Sequence, residues 1–174
     1  RSGEHWWEWQ AIQPNIPGRF PIFEACLQEW AGGSEPVGIE VKYHENLIGK
    51  SATTTERHLE IASQMNCFKQ SARDQLERQP LQQIWRDHLL AGIHRIANRF
   101  DEGFFVFLYP ERNVHCAEAI KNYTECLTDQ QTFASWTLES VTDAIKHHTG
   151  DKWIDWLIDR YLNFKKISSY AQSG

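Results

Sequence analysis

"VGIEVKYHE", residues 37–45, is the stretch on which the reading of this chain turns. Val37, Ile39 and Val41 alternate with Gly38, Glu40 and Lys42, which is the two-residue rhythm of a strand with one apolar face. The spacing predicts a strand over 37–44. Its other face carries a carboxylate and an ammonium about 6–7 Å apart along the backbone. Charges of opposite sign on one face of a core-like strand have two explanations. One is a structural ion pair. The other is chemistry that needs an acid and a base side by side.

A carboxylate is a hard oxygen ligand suited to Mg²⁺, and a neighbouring ammonium orients a water or balances negative charge as it builds. Magnesium takes one or two carboxylates and fills its remaining positions with water or phosphate oxygens. A second acid is therefore expected on an adjacent strand. Glu24 is the candidate, in the apolar segment "RFPIFEACLQEW" at 19–30. "AGGSEP", 31–36, separates it from Glu40 as a short turn. "HWWEWQAIQ", 5–13, reads as an earlier strand, closed by the turn "PNIPG" at 14–18. Three strands joined by short turns predict an antiparallel meander.

Downstream the pattern turns helical. Thr53, Thr54 and Thr55 offer caps for a helix over 56–68. Ile84, Leu89, Ile93 and Ile96 predict a long helix over 80–99. "FFVFLYP", 104–110, is a continuous apolar run, expected as a strand buried on both faces. A helix over 112–127, a short strand over 133–138, a helix ending at Gly150 and a last amphipathic helix over 151–166 complete the order. The fold class expected is α/β or α+β: a mixed sheet of a three-strand meander plus two further strands, flanked by helices.

Bulk properties narrow the class. The 174 residues suit a single domain, 1–174, with 41% hydrophobic and 24% charged side chains, as in ordinary globular proteins. No apolar run reaches the roughly eighteen residues of a membrane helix. Cys26, Cys67, Cys116 and Cys126 form no CxxC pair, so reduced thiols in a cytoplasmic protein are expected. A net charge of −5 excludes a strongly basic nucleic-acid coat but not local contact along one groove. Residues 66–99 carry six basic side chains (Lys69, Arg73, Arg78, Arg86, Arg95, Arg99) against three acids. That excess suits either a phosphate-contacting face or a solvated helix pair. The aromatic helix "DKWIDWLIDRYLNFKK" is expected to pack on the core, with a homodimer or partner-domain contact as the second reading.

The pieces together, "RFPIFEACLQEW…VGIEVKYHE", then "QIWRDHLLA" at 83–91, "GFFVFLYPERN" at 103–113 and "WTLESV" at 136–141, resemble the PD-(D/E)xK, or restriction-endonuclease-like, nuclease superfamily. Within it they are similar to a bacterial group of restriction endonucleases. The resemblance spans most of residues 5–145. It implies a sheet flanked by helices and Mg²⁺- or Mn²⁺-dependent cleavage of DNA. It assigns Glu24 as the first acid, Glu40 as the second, Lys42 as the lysine, and the backbone carbonyl of Val41 as a further metal ligand. Glu24 is a departure, since the family usually has Asp there. The resemblance also sets the helix carrying Gln83 and Arg86 at the border of the site, Gln83 to hold Glu40 or a water and Arg86 to meet a phosphate. Lys69, Arg73 and Arg78 join Arg86 as candidate DNA contacts. Glu45 is an outer candidate ligand. His88 is expected to be a satisfied helix histidine. A catalytically inactive binding module with the same fold is the alternative.

Overall fold

The computed structural model describes residues 37–49, 51–149 and 152–164. In chain order these form β1 (Val37–Val41), α1 (Glu56–Met65), a single 3₁₀ turn (Gln70–Ala72), α2 (Arg73–Leu76) and α3 (Leu81–Asn98). Then follow β2 (Phe104–Tyr109), α4 (Val114–Glu125), β3 (Phe133–Thr137), α5 (Leu138–Thr149) and α6 (Lys152–Tyr161). No described helix is long and apolar enough to cross a membrane.

The described sheet has three strands in the order β1-β2-β3, and both pairings are parallel. Val37 lies opposite Phe104 and Glu40 opposite Phe107, while Phe105 lies opposite Phe133. The three described strands are the last strand of the expected meander and the two further strands, and they pair in parallel. The two upstream strands of that meander, at 5–13 and 19–30, lie outside the described residues. The neighbour of β1 reaches it only after a helical crossover, because parallel strands cannot be joined by a tight turn.

β2 is the central strand, and its sequence says why. Phe105, Val106, Phe107 and Leu108 are all buried, as a strand covered on both faces requires. Phe105 and Phe107 join Phe133 under the α3 and α4 layer. Val106 and Leu108 alternate to the opposite face.

α3 packs its Leu81, Ile84, Trp85, His88, Leu89 and Gly92 side inward, one stripe at helical spacing. Two glycines allow close approach. A methyl group on Gly38 would stand 3.4 Å from Ala91 Cβ, so α3 lies directly on β1. A Cβ on Gly92 would stand 2.2 Å from Met65 Sδ, so the end of α1 seats in that notch. α1 stops at Met65, short of the expected residue 68, because Asn66 takes the left-handed conformation at φ 50°. α3 stops the same way at Arg99, φ 58°.

β1 ends at Val41, three residues earlier than expected. Lys42 N–H still donates to Leu108 C=O at 2.8 Å. The next rung of a parallel ladder would draw on the N–H of residue 110, which is Pro110 and has none. The chain then bends at Tyr43 and His44.

Candidate active site

Glu40 and Lys42 leave β1 on the same face, at its carboxyl end. Lys42 Nζ lies 2.5 Å from Glu40 Oε1, and each residue is only 3% exposed. The alternation thus reads correctly, and the two charges do form an ion pair. The pair is buried, though, where desolvating both ions costs as much as or more than their attraction returns. A pair of this kind is poor stabilisation, and that makes a functional reason for it more pressing.

The face is the one covered by α3, since Gly38 on it meets Ala91. α3 runs back antiparallel to β1: its last turn reaches Gly103, where a Cβ would lie 3.1 Å from Arg95. Residues 83, 87 and 91 share one helical stripe. From Ala91 beside Gly38, that stripe proceeds through Asp87 to Gln83 as β1 proceeds to Glu40 and Lys42. Gln83 is therefore in the first turn of α3, at the same end of the sheet as the ion pair, and it is half-buried. Asp87, whose Oδ2 is shielded from solvent, is an acid on this stripe that the sequence reading passed over. Its signal was the four-residue step from Gln83.

Alternate residues of β1 address β2 with their backbone groups. The Lys42-to-Leu108 bond identifies Glu40 and Lys42 as those residues. Val41's carbonyl consequently points to the side of β1 away from β2. A buried carboxylate and a main-chain carbonyl are hard oxygen donors, and among the residues of β1 they fit Mg²⁺ or Mn²⁺ better than a soft metal. Among the described residues no three His, Cys, Asp or Glu side chains cluster into a ready metal site. Glu24, the expected second acid, lies outside the described residues.

Glu45 is used differently from the outer-ligand expectation. Its Oε2 accepts from Tyr43 N–H at 2.8 Å and from His44 N–H at 3.0 Å, closing the bend after Lys42. Burial raises its pKa, but these backbone hydrogen bonds and the charge of Lys42 outweigh that, and the net shift is downward.

The basic candidates do not converge. Arg86 is half-buried beside α1. His58 there is held below its ordinary pKa by burial and then by the Arg86 charge. Arg78 is exposed just before α3. Arg73 Nε donates to Glu77 Oε1 at 2.7 Å. Lys69 Nζ donates to Glu125 C=O at 2.8 Å, at the end of α4 remote from the Glu40 end of the sheet. The twelve residues of α4 place it about 18 Å away along that helix.

The described thiols and His88 are used in the core. Cys67, Cys116 and Cys126 are free and buried. Burial pushes the Cys67 and Cys116 thiols up to about 11, which makes them poor nucleophiles. His88 is a core residue: Nδ1 meets Tyr123 Oη at 2.9 Å and Nε2 meets Thr132 Oγ1 at 3.0 Å, with Phe105 stacked at 5.7 Å.

A family model described as the PD-(D/E)XK nuclease superfamily matches residues 25–163, most of the chain. No curated protein and no solved structure gives a significant match.

Proposed function

Because the chain belongs to the PD-(D/E)XK nuclease superfamily, we propose that it is a Mg²⁺-dependent endonuclease that hydrolyses DNA phosphodiesters, acting in restriction or phage defence. The observation that carries the proposal is the buried Glu40–Lys42 pair at the carboxyl end of β1, with Gln83 at the same end of the sheet. Ligand sites of open α/β sheets favour that edge.

In this reading Glu24, Glu40 and the carbonyl of Val41 hold the metal. A bound Mg²⁺ supplies Lewis-acid polarisation of the phosphate and a more acidic water. Lys42 orients the attacking water and balances charge on the phosphate as it develops. Gln83 fixes that water or the carboxylate of Glu40. Arg86 and Arg78, nearest the Gln83 end of α3, contact the DNA backbone, and Lys69 and Arg73 extend that contact along the surface. The competing reading is a binding module with this fold and no activity. Its support is Glu at position 24 in place of Asp, one residue before the matched segment begins.

Plasmid nicking decides between them. The wild type is expected to nick only with Mg²⁺. Glu40→Ala and Lys42→Ala are expected to lose about 10²-fold or more, as removal of a charge-stabilising group does. Equal nicking by all three proteins would rule the site out. No nicking by any, with DNA still bound, would establish the inactive module.

A further inference from the structure

The stretch that follows Lys42 is held far more firmly than a surface bend needs. Glu45 ties its own carboxylate to the Tyr43 and His44 N–H groups from within. From outside, Asn113 Nδ2 donates to Glu45 C=O at 3.1 Å and to Tyr43 C=O at 3.4 Å. Cys116 Sγ adds a weak bond to Glu45 C=O at 3.7 Å. Asn113 is also the N-cap of α4, its Oδ1 accepting from Cys116 N–H at 3.1 Å. One amide therefore faces two ways, with its oxygen on α4 and its nitrogen on the exit of the motif strand.

The ladder cannot hold that exit, because Pro110 denies Lys42 its next rung. We propose that Asn113 is a positioning residue for Lys42: it takes over where the sheet stops and fixes the backbone from which the lysine projects. This rests on the nuclease reading of the same site. Asn113 touches neither substrate nor metal in this role. It acts through Tyr43 and Glu45, which follow Lys42 directly.

The two jobs of the amide can be separated. Ser and Asp cap helices about as well as Asn; ionised Asp has no hydrogen to donate, and the one hydroxyl of Ser ends an atom short of where Asn113 Nδ2 meets the bend. Asn113→Ser and Asn113→Asp should therefore keep α4 capped while releasing the bend. Steady-state nicking by both variants is expected to show kcat reduced on the order of 10- to 10²-fold, the usual cost of a loosened supporting shell. The KM for plasmid is expected to stay within about twofold, with thermal midpoints near that of the wild type. A folded variant of either kind with wild-type kcat would overturn the proposal. So would a loss of rate matched by loss of folded protein or carried by KM. Failure of the underlying nuclease reading looks different: the wild type itself would not nick with Mg²⁺.

Discussion

His88 makes the stability of this domain depend on pH in a way that can be worked out beforehand. The ring is buried among Phe68, Phe105, Tyr123 and Phe133. Burial holds its pKa at about 3, against 6.5 for an ordinary histidine. The unfolded chain therefore binds a proton between pH 6.5 and 3 that the folded chain refuses. Stability contributed by the neutral ring is present above pH 6.5 and is lost as pH falls through that window. Each pH unit inside the window is worth about 1.4 kcal/mol. Lowering the pH from 7.5 to 5 should thus cost about 2 kcal/mol through this one residue. Other titrating groups, His58 among them, contribute too, so the measurement needs a reference. His88→Gln keeps a donor and an acceptor for Tyr123 and Thr132 and cannot titrate. Urea unfolding of both proteins at pH 7.5 and pH 5 gives the difference, provided the m-values agree. Wild type should lose about 2 kcal/mol more than the variant between the two conditions. Equal losses would refute a neutral buried imidazole and the packing argument behind it.

Two further outcomes concern the ion pair and the loop beyond it. Lys42→Met removes the cation 2.5 Å from the buried Glu40 carboxylate. It should cost about 3–5 kcal/mol at neutral pH, read by denaturant midpoint. Gln82, 2% exposed, bonds both backbone groups of Ala52 at 2.8 and 2.7 Å and the carbonyl of Glu77 at 2.9 Å. Gln82→Leu should destabilise the fold by about 2–3 kcal/mol and open the segment around Ala52 to limited proteolysis. An uncut loop at protease levels that cleave the unfolded chain would count against the tether.

How far the sequence could be read depended on how local each cause was. The face shared by Glu40 and Lys42 follows from alternation with Val37, Ile39 and Val41. The long helix follows from spacing, and the central strand from "FFVFLYP". All three are properties of contiguous residues. The parallel partner of β1 was hidden because it enters only after the long crossover through α3, whereas the short Gly- and Pro-rich turns upstream suggested a hairpin. The strand was expected to run to residue 44, and the part of Glu45 as a backbone acceptor was hidden, because nothing in "YHE" announces the bend. Asn113 carried a cap signal before α4. Its second bonding partner, seventy residues earlier at Tyr43, left no trace in its own neighbourhood. His88 was correctly set aside as a ligand, though its burial depends on Phe105, Tyr123 and Phe133 arriving from elsewhere.

The end of β1 is written in another part of the chain. Pro110, at the exit of β2, decides where the strand carrying Glu40 and Lys42 lets go. During synthesis, the motif leaves the ribosome long before the residue that terminates it. Until β2 has docked and brought Pro110 alongside, the acid and the lysine are present without their geometry. An ion pair arranged this way is completed late, so a nascent or truncated chain lacking residues 104–113 would carry both charged residues without the strand that fixes them.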